Sequence, residues 1–147
     1  MSASLTYATA TPVDNDQRSA ILAFINEDTA GHQWWAESIV FYDDPNRPGH
    51  VVGNTKLFVL IDDPALDSFM ASSDMDRIIS ALEKSSAKFG VDWHLFLQDN
   101  PAGTVSKGKR DERAEKSVKG LLSICHAMDV DPEDLNRGSI LEQYRDR

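Results

Sequence analysis

The stretch AESIVFYDDPNRPGHVVGNTKLFVLIDD, residues 36–63, decides how the rest of the chain is read. Ile39, Val40, Phe41 and Tyr42 lie near its start. β-Branched and aromatic side chains suit a pleated, half-buried surface, so residues 38–42 are expected to form a strand. Leu57, Phe58, Val59, Leu60 and Ile61 run without a polar interruption, the pattern of a strand covered on both faces. Pro45 and Pro48 lack a backbone donor and belong outside any central ladder. Gly53 and Asn54 make a second break, a bulge or part of a loop tip. The expectation is a hairpin of 38–42 with 57–61, closed by Asp62, Asp63 and Pro64.

Toward the N-terminus, Leu5, Tyr7 and Thr9 alternate with small residues, which predicts a short edge strand ended by Pro12. Asp14 or Asp16 can cap a helix that carries Ala20, Ile21, Phe24 and Ile25 on one face and stops near Ala30 and Gly31. Toward the C-terminus, residues 64–73 read as a loop. Ser73 or Asp74 is expected to cap a helix whose stripe is Met75, Ile78, Ile79, Leu82 and Phe89, with Gly90 closing it. A strand follows, with Val91, Trp93, Leu95 and Leu97 on one face and Asp92, His94 and Phe96 on the other.

Residues 100–109, rich in glycine, serine and lysine, read as a mobile loop. Ala114, Val118, Leu121, Leu122, Cys125 and Met128 mark a helix over 111–128. Asp131 and Pro132 begin another turn, and Ser139 to Glu142 is a capping-box pattern for a last short helix. The order predicts an α+β fold: a ferredoxin-like βαββαβ sheet of three or four mainly antiparallel strands. Two helices would lie on one face; the other would be covered, at least in part, by additional C-terminal helices, or by a partner. The expected organisation is one domain over 1–147, divided into the sheet and two helices (1–99), the loop (100–109) and the C-terminal helices (110–147).

A chain of 147 residues is one domain's worth. The net charge of −9 disfavours nucleic acid and anionic membrane as partners, since both need clustered Lys and Arg. It favours solubility and fast association with a basic protein. Nothing reaches the length of a membrane span, and the first residues lack the basic and apolar regions of a signal peptide. The single cysteine excludes an intramolecular disulfide and fits a reducing compartment, so a cytoplasmic location is expected.

Tests for catalytic chemistry mostly fail. Gly103-Thr104-Val105-Ser106-Lys107-Gly108-Lys109 approaches a phosphate-binding loop, but Arg110 stands where the magnesium-binding hydroxyl belongs. His32, His50, His94 and His126 show no metal-ligand spacing. Residues 129–133 start like a calcium loop, but Ile140 occupies the position of the terminal glutamate. Cys125 lies on an apolar stripe with no activating histidine on its face. No catalytic residue, metal or cofactor is therefore expected.

Adjacent Trp34 and Trp35 cannot both enter one core from an extended segment, because neighbours face opposite ways. One of them is a candidate anchor for a partner. Asp43 and Asp44 are candidate acidic contacts, although aspartates at strand ends are commonly turn formers. Lys56, Asp92 and His94 could share a patch on the sheet, or His94 could be a satisfied histidine beneath the C-terminal helices. The leading expectation is a non-enzymatic acidic interaction module, an immunity- or antitoxin-type inhibitor of a basic protein, as a monomer or homodimer. The alternative is a small enzyme or small-ligand-binding protein using His94, Lys56 and Asp92.

Overall fold

The computed structural model describes residues 4–58 and 63–127, with 123–127 described only as helical backbone. Its elements in order are β1 (Ser4–Thr9), α1 (Asn15–Thr29), β2 (Phe41–Tyr42), β3 (Val52–Lys56) and α2 (Pro64–Phe89). Then come β4 (Trp93–Leu97), β5 (Asn100–Ser106), β6 (Lys109–Arg110) and α3 (Glu112–Ala127). The fold is α+β. Its sheet has six strands in the order β2-β3-β1-β4-β5-β6, and every pairing is antiparallel.

The helices start and stop where local chemistry dictates. Asp14 caps α1, its carboxylate accepting from the Gln17 amide at 2.7 Å. Ile21, Ile25 and Thr29, four residues apart, form the buried face of α1, while Ala20, expected on that face, is exposed. Asp63 caps α2 by accepting from Leu66, and Pro64 occupies the first turn, where its missing donor costs nothing. The helix therefore begins well before Ser73 or Asp74, and residues 64–73 are helix rather than loop. It runs 26 residues to Gly90, which takes the left-handed cap with φ 70°.

The sheet departs from expectation in three ways. The second hairpin strand is Val52–Lys56, so Gly53 and Asn54 lie within the strand instead of breaking it. Leu57 and Phe58 follow its end, and Val59, Leu60 and Ile61 fall outside the described residues. The first strand is central, not marginal: Leu5 faces Thr55 on one side and Leu97 on the other. Residues 100–110 form β5, a turn and β6 rather than a loop, which lifts the strand count above three or four. Their turn is Lys107 and Gly108, both at positive φ, and Gln98 and Asp99 make a matching turn before β5. Two-residue hairpins need that backbone because it matches the twist of the flanking strands.

Gly53 is tolerated in the strand because of Tyr7. The Tyr7 ring crosses over Gly53, its partner in register, and a Cβ there would collide with that ring and with the Val40 carbonyl. The Tyr7 hydroxyl donates to Val40 O at 2.8 Å and accepts from Val40 N at 3.0 Å. It also lies 2.8 Å from Thr55 Oγ1. One side chain of β1 thus spans β3 and pins the chain entering β2. Burial disfavours the charged phenolate, so the Tyr7 pKa is pushed up to about 12 despite the hydrogen bonds from Thr55 and Val40.

One face of the sheet packs on the helices. Leu5, Tyr7, Trp93, Leu95 and Val105 meet Ile21 and Ile25 of α1, Met75, Ile78, Ile79 and Leu82 of α2, and Ala114 and Val118 of α3 in one core. Trp93 is fully buried, and its indole N–H donates to Ser85 of α2 at 3.0 Å. α3 lies on the same side, with Val118 O accepting from Ser72 of α2. The expected turn at Asp131 and helix at Ser139 lie outside the described residues, as do the side chains of Cys125 and His126. Charged groups bind the layers at their margins. Arg110 of β6 pairs with Asp76 and Glu83 of α2 and Glu115 of α3. Asp28 of α1 accepts from Arg77 and Lys84 of α2. Burial opposes ionisation of Asp28, but the bonds from Lys84 and Arg77 outweigh it and hold the carboxyl below its usual range.

Candidate functional site

The opposite face of the sheet carries the residues free to meet another molecule. Residues paired in register share a face, so Tyr42, Val52, Ala8, His94 and Thr104 form one row across β2, β3, β1, β4 and β5. Asn54, Thr6, Phe96 and Pro101 form the next row. Alternation along β4 reads directly in the burial of its side chains: Trp93 and Leu95 are buried, while Asp92 and His94 are exposed. His94 is thus exposed, with no described helix over it.

Part of this face is roofed by the β2–β3 connection. His50 Nδ1 lies 2.8 Å from Thr9 O, and Val13 N donates to Gly49 O, which holds the connection against the end of β1. From there Arg47 reaches back, placing its guanidinium 5.1 Å from the centre of the Phe96 ring. Val52 and Ala8, although outward in register, are buried.

Beyond that roof, a cavity of about 270 Å³ opens between β4, β5 and the start of α3. Its walls include His94, Phe96, Pro101, Thr104, Asp111 and Arg113. The sheet makes the space with a bulge: Leu95 faces Gly103 and Phe96 faces Pro101, leaving Ala102 without a partner in β4. Gly103, with φ 135°, lies under the first turn of α3, where a Cβ would strike the Ala114 backbone. Asp111 anchors that turn. Its Oδ1 accepts from Ala114 N at 2.8 Å and its Oδ2 accepts from the Thr104 hydroxyl at 3.0 Å. Partial burial works against the Asp111 charge, but the bonds from Ala114 and Thr104 and the nearby Arg113 hold the carboxyl below its usual range.

The residues singled out in the sequence fall in separate places. Asp43, Asp44 and Asp92 come to the same end of the sheet, since Asp92 O accepts from Ala10 beyond β1 and the β2–β3 connection abuts that end. Asp43 pairs with Arg18 at 2.7 Å yet keeps 94% of its side chain exposed. Asp44 closes a turn by accepting from Asn46 N. Lys56 pairs in register with Ser4, whereas His94 pairs with Ala8, so the two stand toward opposite ends of β1. Lys56, Asp92 and His94 are therefore not gathered into one patch.

Trp34 and Trp35 are both half-buried. Trp34 packs edge-on to His32, and Trp35 packs against Phe69 of α2. The amides of Trp35 and Ala36 donate to buried Asp74. Val40 and Tyr42, next along that segment, are 46% and 45% exposed.

The cavity itself was not legible as a site. Phe96 and His94 are readable as face-mates, but Thr104 comes from a hairpin that reads as a loop, and it is that hairpin that brings Asp111 and Arg113, at the start of the expected helix, against β4. The available signal was Asp111, a capping residue three before Ala114. The loop-like run 103–110 is hairpin, with Thr104 bonded to Asp111. Among the described residues, no group of three or more His, Cys, Asp or Glu side chains is placed to hold a metal ion. Among them too, no helix is long and apolar enough to cross a membrane. No family model, curated protein or solved structure matches this chain.

Proposed function

We propose that the protein is a non-enzymatic interaction module that captures a basic protein with the acidic, Tyr42-bearing end of its sheet, as an immunity- or antitoxin-type inhibitor does. One observation carries the reading: the exposed large hydrophobics among the described residues, Val40 and Tyr42, immediately precede Asp43 and Asp44. Large apolar side chains beside carboxylates make a surface that a basic, partly apolar partner can bury. The net charge of −9 steers the encounter, and burial of the anchors then slows dissociation. Asp92 extends the acidic rim. Trp34 and Trp35, upstream on the same segment, are the second pair of anchors.

The same proposal includes the finer description of the fold. The order β2-β3-β1-β4, with α1 and α2 in the crossovers, supports a ferredoxin-like split βαβ extended by the β5–β6 hairpin. It also includes a cytoplasmic monomer or homodimer.

The test is capture of partners from the native host with the wild-type chain and with Tyr42→Ala, Trp34→Ala, Trp35→Ala and Asp43→Asn/Asp44→Asn variants. A basic protein retained by the wild type and lost by the Tyr42 or aspartate variants supports the reading. Equal retention by all four variants removes it.

A further inference from the structure

We propose that the cavity between β4, β5 and α3 binds a small anion carrying a planar ring, with Arg113 and His94 holding the anionic group and Phe96 the ring. This goes beyond the capture of a basic protein and uses a different part of the surface.

Most of the described arginines of this acidic chain are committed to carboxylates. Among the described residues, Arg18, Arg77 and Arg110 are each ion-paired with a carboxylate. Among the described residues, Arg47 and Arg113 have no side-chain hydrogen bond and no ion pair. Arg113 stands on the cavity wall, and Arg47 stacks over Phe96, itself a wall residue. In a chain with 24 acidic residues against 15 basic ones, these are the two described arginines without a carboxylate partner. A planar guanidinium with free donors is suited to a carboxylate or phosphate. His94, exposed and without a hydrogen bond among the described residues, adds a third donor on the same wall.

The one carboxylate among these wall residues, Asp111, is already engaged, and Arg113 helps to hold its charge. Both Asp111 oxygens are occupied, by the Ala114 amide and the Thr104 hydroxyl. Its charge faces the positive end of α3, which offsets it. The remaining lining includes the apolar side chains of Phe96 and Pro101. A volume of about 270 Å³ is at the small end of ligand pockets, which run from roughly 300 to 1,000 Å³. It suits a single ring with one anionic substituent and is too small for a dinucleotide.

The experiment titrates the full-length protein with phenyl phosphate, benzoate, inorganic phosphate and benzylamine. Amide and imidazole NMR shifts are followed in wild type, Arg113→Gln and Arg47→Gln/Arg113→Gln. Saturable shifts at Gly103, Thr104 and His94 are expected with phenyl phosphate and benzoate and not with benzylamine. Arg113→Gln is expected to weaken binding about tenfold or more, the usual effect of losing a charged hydrogen bond. Its melting temperature should change little, because the exposed side chain has no hydrogen bond among the described residues and acts on Asp111 only through its charge. Absence of saturable binding by either aryl anion, equal binding of benzylamine, or undiminished affinity in the double variant would each overturn the proposal. Inorganic phosphate binding as tightly as phenyl phosphate would overturn the role of the ring. None of these outcomes depends on whether a basic protein is captured at Tyr42.

Discussion

The two faces of the sheet are built from the same strands and behave as opposites. On the helix side, polar groups are few and almost all committed: the Tyr7 hydroxyl to Val40 and Thr55, the Trp93 indole to Ser85. On the other side, His94, Arg47 and Arg113 carry donors with no hydrogen-bond partner in the described chain. Buried polar groups must be paired or they cost stability, whereas exposed ones are satisfied by water at little cost. The first face is therefore constrained by folding, and the second is available for binding.

The sharpest way to break this contrast is to add an atom on the packed side. Gly53→Ala places a methyl against the Tyr7 ring and the Val40 carbonyl, in a region without slack. It should destabilise by about 3 kcal/mol or more, at the upper end of overpacking effects. Chemical denaturation measures it; a loss within experimental error would mean that the ring does not cross the glycine.

Asp74→Ala comes next. It strips the acceptor from the Trp35 and Ala36 amides and should cost about 2–3 kcal/mol, the penalty for orphaned donors. The same experiment reads it, with Trp fluorescence reporting release of the segment around Trp35.

Tyr7→Phe should cost about 1–3 kcal/mol by leaving Val40 N without its acceptor. It also has a pH signature. The Tyr7 pKa in the fold is about 12 against 10.0 ordinarily. Its contribution is complete below pH 10 and falls as pH rises toward 12, by roughly 1.4 kcal/mol per unit. That slope should be missing in Tyr7→Phe.

Asp111→Ala sits at the border between the faces. Loss of the cap should cost about 1 kcal/mol. Because the Asp111 carboxyl is held below its ordinary value of 3.8, its contribution is present above that pH and lost as the pH falls through the folded value. Wild type and variant should therefore converge in acid denaturation. His94→Ala defines the smallest effect: an exposed side chain without a hydrogen bond among the described residues should change stability by less than about 0.5 kcal/mol.

The same contrast explains what the sequence disclosed. Where one face is buried and the other wet, alternation is a faithful record, and Val91 to His94 are placed as their pattern indicates. Asp14 and Gly90, whose roles are local, are also where their chemistry puts them. Errors arose where a distant side chain decides. Gly53 breaks a strand by propensity, but Tyr7 from another strand fills the space a side chain would occupy. Thr55 and Val52 were therefore passed over for the greasier run beginning at Leu57. Pro64 opens a helix rather than excluding one because Asp63 caps it. The polar composition of β5 reflects a strand with one open face, and its turns use left-handed Gln98, Asp99 and Lys107, residues that do not announce a hairpin. The cavity is hidden for the same reason, since three of its polar wall residues, Thr104, Asp111 and Arg113, come from β5 and the start of α3.

The position of β1 has a consequence for synthesis. It leaves the ribosome before every other strand, yet its neighbours are Val52–Lys56 on one side and Trp93–Leu97 on the other. The nascent chain therefore carries β1 unpaired until β3 has been translated and open along its other edge until α2 and β4 have followed, and the long loops this closes favour slow assembly. By contrast, β4, β5 and β6 join through two-residue turns and can zip within a short length of chain.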